Sequence, residues 1–253
     1  MTPELYFLLP LTFIGGVLNA SIGGGGLVLL PGMFALFPRV LPASLFATEK
    51  LAAFVGTGTA AWQYSRHIPL PWKLLLLASA AAFAGAQFGA RAIYLLPPHW
   101  IKPFVVVLLV VMLTYTWFRP DFGSQDEQKL ISRAELVRGI LIGAAIGFYD
   151  GFFGPGAGTF LIFLFVRVFH FDFLRASACA KVVNMATNLG ALAFFVPAGL
   201  VYYHLAIPMA FAMIAGSWVG SRLAMKGGNV WLRRLFLILV IVLIGKLAFD
   251  LFR

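Results

Sequence analysis

The chain has 253 residues, of which 61% are hydrophobic and 11% charged, and its mean hydropathy is +0.94. Soluble domains carry about 25% charged residues, so this composition excludes an ordinary soluble protein and predicts an all-α polytopic membrane protein. The net charge of +10 does not indicate nucleic-acid binding, because the basic residues lie mainly at the ends of apolar segments, where they orient membrane proteins and meet anionic lipid headgroups.

The first apolar segment, residues 4–37, is interrupted by four consecutive glycines at 23–26. Glycine destabilises a helix by about 1 kcal/mol relative to alanine. As one straight helix the segment would be about 51 Å long, whereas the hydrocarbon core of a bilayer is about 30 Å thick. The segment is therefore either one tilted, broken helix or a helical hairpin with the glycines at its tip, which re-enters the membrane or spans it twice.

Three transmembrane helices of ordinary length are predicted next, at 43–64, 72–95 and 101–117. A polar stretch at 119–138 then divides the chain almost in half. The second half offers the same elements, namely a glycine-broken run at 136–169 and spans at 176–196, 203–223 and 231–252. The predicted organisation is a first transmembrane repeat at 1–118, a linker at 119–135 and a second repeat at 136–253.

Matched landmarks support an internal duplication at an offset of 131 residues. FAGAQFGARA at 83–92 corresponds to IAGSWVGSRL at 214–223, and Lys50 corresponds to Lys181. With one residue of slip, the glycine clusters also correspond. Because the order glycine break, Lys, G-x-x-x-G-x-R and Trp occurs twice, we predict two homologous repeats.

Counting Lys and Arg selects the orientation of these repeats. If each long run crosses the membrane once, the basic residues divide almost evenly between the two faces. If each long run enters and returns, most of them share one face, as the positive-inside rule requires. An odd number of reversals per half makes the halves inverted repeats. It also places the linker in the cytoplasm and both termini outside it.

Inverted repeats with broken helices are typical of secondary transporters, whose substrates bind near the midplane, where half-helix ends meet. A half-helix that begins after a glycine tip presents free N–H groups and the positive end of its dipole. SIGGGG at 21–26 and GPGAG at 154–158 therefore predict two facing anion cradles, although such clusters also permit close helix packing. The predicted backbone ligands are Gly24, Gly25, Gly26, Gly156, Ala157 and Gly158.

Lys50 and Lys181 lie several residues inside predicted spans. An ammonium in mid-bilayer costs at least about 2.5 kcal/mol and needs a partner. We predict that both lysines converge on one anion. The alternatives are snorkelling and pairing with Glu49 or a helix end. Amides and hydroxyls on the same stretches are suited to an oxyanion or to interhelical hydrogen bonds, and they predict substrate contacts at Thr57, Asn184 and Asn188, with Thr187 on the same face.

Two carboxyl groups, Glu49 and Asp150, are candidates for proton coupling, although Asp150 is also placed to pair with Lys181. The histidines lie at segment ends without shared spacing, so neither a metal site nor a cofactor is predicted. An intramembrane enzyme would need a nucleophile beside a base, and Ser21 and Cys179 have no histidine nearby in sequence. We therefore expect no enzymatic activity.

These motifs resemble the sulfite exporter family of bacterial membrane transporters, also called TauE/SafE-like or TSUP. The resemblance covers essentially the whole chain and rests on Gly23 to Gly26 followed by Pro31, A-T-E-K at 47–50, G-A-Q-F-G-A-R at 85–91, and their second-half partners at 154–158, 178–181 and 216–222. It implies a multi-pass inner-membrane protein that moves sulfite, organosulfonates or other small anions, in the direction of export. A transporter of a non-sulfur organic anion and an anion channel remain the alternatives.

Overall fold

The computed structural model describes residues 3–92, 123 and 131–251, and every regular element within those ranges is an α-helix. The first half contains α1 (Pro3–Ile22), α2 (Gly25–Leu36), α3 (Pro42–Ser65) and α4 (Trp72–Ala92). The second contains α5 (Arg133–Phe152), α6 (Ala157–Phe169), α7 (Phe173–Phe195) and α8 (Tyr203–Leu251). The predicted span at 101–117 and most of the predicted linker lie outside the described residues.

Four of these helices contain stretches long and apolar enough to cross a bilayer, namely Glu4–Ile22, Trp72–Ala92, Phe173–Phe195 and Tyr203–Leu232. This agrees with the predicted polytopic membrane protein. The spans predicted at 203–223 and 231–252 form one long element, which is interrupted at Gly228, where φ is 64°. α5 begins at Arg133, because Ser132 and Glu135 form a capping box that starts the helix there.

Both long apolar runs are broken at the predicted glycines. The break between α1 and α2 contains Gly23 with φ 77°, and the break between α5 and α6 contains Gly154 and Gly156 with φ 90° and 87°. The helices that follow, α2 and α6, have 12 and 13 residues. They are therefore about 18 and about 20 Å long, shorter than the hydrocarbon core.

The G-x-x-x-G motifs lie where helices from opposite halves touch. α1 packs mainly on α8, and α5 packs mainly on α4. A Cβ built on Gly216 or Gly220 would lie 2.1 or 2.4 Å from a carbonyl oxygen of α1. A Cβ on Gly85 or Gly89 would likewise lie 2.4 or 2.0 Å from a carbonyl oxygen of α5. Only glycine permits backbones this close, so these motifs hold the two halves together.

Buried aromatic side chains pack together along α6. Phe165 and Phe169 on α6 stack with Phe171, which lies just beyond its end, and all three are buried. Phe160 at the start of the same helix is also buried, against Tyr149 of α5. A broken helix exposes backbone groups that lipid cannot satisfy, and this burial keeps α6 and its break inside the protein.

Gly89→Ala is expected to destabilise the protein, because the new methyl group would lie 2.0 Å from Phe148 O and 2.8 Å from Phe152 N. Overpacking of this kind costs about 1–3 kcal/mol. Gly58→Ala on α3 is the matched control, since its methyl would meet only Met185 Sδ, at 3.4 Å. Thermal unfolding in detergent should show a lower midpoint for Gly89→Ala only. Equal midpoints for the two variants would contradict the packing described here.

Candidate functional site

The two glycine breaks are in direct contact. A Cβ on Gly23 would lie 2.3 Å from the carbonyl carbon of Gly158, and one on Gly158 would lie 2.7 Å from Gly23 O. Next to this contact, Thr159 Oγ1 donates to Ile22 O at 3.1 Å and Ser177 Oγ donates to Ser21 O at 3.2 Å. These bonds satisfy carbonyl groups that the end of α1 leaves without helical partners. The two breaks therefore meet inside the protein, with their backbone groups partly satisfied across the contact.

A buried ion pair lies beside the breaks. Lys50 Nζ on α3 is 2.6 Å from Asp150 Oδ1 on α5, and the two side chains are only 5% and 2% exposed. The other carboxylate oxygen, Oδ2, accepts hydrogen bonds from Thr187 Oγ1 and, at 3.5 Å, from Asn184 Nδ2, both on α7. A buried ion pair is tolerated when such bonds complete its solvation. Asp150 thus pairs with Lys50, not with Lys181 as the sequence had allowed.

A cavity with a mainly polar lining opens between the breaks and the ion pair. Its volume is about 20 Å³, enough for about one water molecule in this conformation. Both halves of the chain contribute to its wall. The polar and glycine residues that line it are Asn19, Gly23, Gly26, Glu49, Lys50, Asp150, Gly154, Gly156, Gly158, Asn184 and Asn188. Its ionisable groups within the described residues are thus one lysine and two carboxyl groups.

Most of the predicted substrate and proton ligands come together at this cavity. Gly26, Glu49, Lys50, Asp150, Gly156, Gly158, Asn184 and Asn188 line it. The predicted residues Gly24, Gly25, Thr57, Ala157 and Lys181 are not on its wall. Gly25 instead packs on α1, where a Cβ would lie 2.4 Å from Gly15 O. Thr57 lies behind the wall, because its Oγ1 accepts a hydrogen bond of 2.8 Å from Asn19 Nδ2.

Lys181 lies away from the cavity. The residue is completely buried, and its Nζ has no hydrogen-bond partner among the described residues. In this conformation, therefore, the two lysines do not converge on one point as expected. Equivalent positions in two repeats can differ in environment when the two repeats adopt different conformations, which sequence matching cannot show.

The cavity wall includes Asn19, which was not predicted, and Gly23 and Gly154, which lie in the predicted cradles but were not among the predicted ligands. The offset of 131 residues that relates Lys50 to Lys181 also relates Asn19 to Asp150 and Gly23 to Gly154. Both glycines have positive φ, which fits that correspondence. The slip of one residue that was introduced to align the glycine clusters matched Asp150 with Leu18 instead. A constant offset would have identified Asn19 as the counterpart of the candidate residue Asp150.

The comparisons with known proteins point to membrane transport. The family model described as sulfite exporter TauE/SafE matches residues 8–247. A probable membrane transporter protein of Sinorhizobium sp, ORF9, is 33% identical over 97% of this chain and 93% of its own length. The probable membrane transporter protein YfcA of Escherichia coli K12 is 30% identical over 94% of this chain and 87% of its own length. No solved structure matches. The chain belongs to the TauE/SafE sulfite exporter family of membrane transporters.

Proposed function

We propose that the protein is a secondary transporter that exports small sulfur-containing anions such as sulfite or organosulfonates. The observation that carries this proposal is the cavity between the two helix breaks. Lys50 brings an ammonium to its wall, and Gly26, Gly156 and Gly158 bring the amino-terminal ends of α2 and α6. Because the first N–H groups of a helix lack helical partners and carry the positive end of its dipole, both ends favour a bound anion.

Alternating access is supported by contacts that recur with the two halves exchanged. A Cβ on Gly16 would lie 2.8 Å from Met213 O, and one on Gly147 would lie 2.2 Å from Ala82 O. Gly147 follows Gly16 by 131 residues, and Met213 follows Ala82 by the same 131 residues. The second contact is therefore the first with the two halves exchanged. This exchange is expected of two repeats related by a pseudo-two-fold axis. We propose that the repeats are inverted and that both termini lie outside the cytoplasm, as the distribution of Lys and Arg favours. Rocking of the repeats around the shared cavity would open it to each side in turn.

The alternatives differ in what they need from the cavity. An anion channel needs a pore open at both ends, whereas an ion pair occupies this cavity within the part of the chain described. A transporter of a non-sulfur organic anion needs the same ammonium and amide donors, because a carboxylate presents oxygens much as a sulfonate does. Proton coupling would use a carboxyl group on the wall, Glu49 or Asp150.

The test is anion uptake by the full chain in proteoliposomes, with and without a pH gradient. Sulfite, thiosulfate, sulfate and small sulfonates are compared with small carboxylates. We expect saturable transport of a sulfur-containing anion that a pH gradient accelerates. Flux that does not saturate would identify a channel. Transport of carboxylates only would identify an organic-anion carrier, and transport of none of these anions would overturn the proposal.

Lys181→Met is expected to abolish transport while leaving the protein folded. Methionine has similar length and no charge, so it removes an ammonium that has no partner among the described residues without opening a cavity. If alternating access gives Lys181 the surroundings that Lys50 has in this conformation, transport requires the charge of Lys181. Thermal unfolding should show unchanged or higher stability, and uptake should be lost. Uptake at the wild-type rate would mean that Lys181 only fills space.

A further inference from the structure

We propose that Asp150 is the resting ligand of Lys50, that the substrate anion displaces it, and that the displaced carboxyl group carries one proton with each anion. This inference rests on the proposed function and deepens it by choosing Asp150 over Glu49 as the coupling group. The proton balance is simple. A proton from the aqueous side joins the Asp150 carboxylate as the anion binds, and the proton leaves when the anion leaves.

The ammonium of Lys50 already has an anionic partner. Its Nζ lies 2.6 Å from Asp150 Oδ1. On another side it is close to the second helix break, because a Cβ on Gly154 would lie 3.3 Å from Nζ and 3.5 Å from Cε. An oxyanion that reaches this ammonium from the cavity meets the oxygen of Asp150. Two anionic oxygens at one cation repel, so an ionised Asp150 and a bound anion exclude each other there.

The ionisable groups of the cavity wall leave no positive charge free for an added anion. The cavity wall carries two carboxyl groups, Glu49 and Asp150, and one lysine. Lys181 is not on the wall and is buried without a partner among the described residues. Tyr149, the titratable neighbour of Asp150 on α5, donates its hydroxyl to Pro155 O at 2.6 Å. Among the described residues, therefore, the wall offers an added anion no unpaired positive side chain to neutralise it. Protonating one carboxyl group makes the Lys50 charge available to the anion.

The two carboxyl groups of the wall differ in their contact with Lys50. Asp150 is the carboxylate in ion-pair contact with Lys50 in the described ranges, whereas Glu49 Oε1 faces Gly26, where a Cβ would lie 3.4 Å away. Displacement from Lys50 therefore acts on Asp150. The protonated form also has a partner, because the Thr187 hydroxyl oxygen at Oδ2 can accept a hydrogen bond while its own proton is donated to Asn184 O at 2.8 Å.

The two halves of the chain differ at the position of Asp150. The counterpart of Asp150 at the offset of 131 is Asn19, a neutral side chain of nearly the same shape, which donates to Thr57. An amide cannot change its charge, so the chain has a carboxylate at one of two corresponding positions. This fits one proton per anion.

The test uses the full chain in detergent and a small sulfonate such as methanesulfonate, whose charge does not change between mildly acidic and mildly alkaline pH. In the wild type, the sulfonate Kd should rise about tenfold per pH unit where Asp150 is ionised. In Asp150→Asn, binding should be at least as tight as in the wild type at its acidic optimum, and it should be independent of pH. In weak buffer, the wild type should take up one proton per sulfonate bound, which tests the inference even if the variant folds poorly.

Asp172→Asn is the matched control. Asp172 caps α7 by accepting from Arg175 N at 2.7 Å, and asparagine caps a helix equally well. This control should keep the pH dependence of the wild type. Sulfonate binding without proton uptake, or an unchanged pH dependence in Asp150→Asn, would overturn the inference and leave the proposed function standing. If neither protein binds any anion of the panel at any pH, the proposed function fails and the inference with it.

Discussion

Lys50→Ala is expected to abolish anion binding and transport. Lys50 is the cationic side chain on the cavity wall within the described ranges, so no other charge there can take its place. The variant should also be less stable, because it leaves Asp150 buried without its partner. Breaking a buried ion pair in this way costs about 3–5 kcal/mol. Sulfonate binding, proteoliposome uptake and thermal unfolding in detergent measure the three effects.

A double variant separates the loss of charge from the loss of stability. Lys50→Met combined with Asp150→Asn removes both charges, and replacing a buried ion pair by neutral groups is often neutral or stabilising. The double variant should unfold near the wild-type temperature and still bind no sulfonate. Lys73→Ala, at an exposed lysine at the start of α4, should behave as the wild type. Sulfonate binding by the double variant at wild-type affinity would show that Lys50 is not the anion ligand.

Local sequence signals were sufficient to predict the helices and their breaks. Glycines 23–26 and 154–158 interrupt runs that are too long for one crossing, and the structure breaks both runs there. The repeated G-x-x-x-G motifs, read from the sequence only as landmarks of the duplication, lie at the interfaces of α8 with α1 and of α4 with α5. Small residues at helical spacing are local features, and close packing is their usual consequence in membranes.

The partners within the site could not be predicted in the same way. Lys50 and Asp150 are 100 residues apart, and nothing local indicates that α3 and α5 bring them within 2.6 Å. Symmetry suggested that Lys181 would have the same surroundings as Lys50, but it is buried without a partner among the described residues. Two repeats with similar sequences need not have the same conformation at one time, and alternating access, as proposed above, requires that they differ.

Gly23→Ala is expected to cause a loss of transport and of folded protein, because two penalties act at one position. Gly23 has φ 77°, a region in which a residue with a Cβ is disfavoured by about 1–2 kcal/mol. The added methyl group would also lie 2.3 Å from the carbonyl carbon of Gly158 and 2.5 Å from Thr159 N. Neither atom belongs to a flexible side chain, so the two helix breaks would have to separate.

Gly199→Ala carries the backbone penalty alone and is the matched control. Gly199 has φ 69° and lies in the turn between α7 and α8, where a Cβ would meet nothing within 4 Å. It shares the backbone penalty of Gly23→Ala without the steric clash, so we expect a modest fall in the unfolding temperature and transport close to wild type. The difference between the two variants, in the yield of folded protein and in proteoliposome uptake, measures how far function depends on contact between the breaks. Equal behaviour of the two variants would mean that the breaks work independently, and a binding site shared between them would then be wrong.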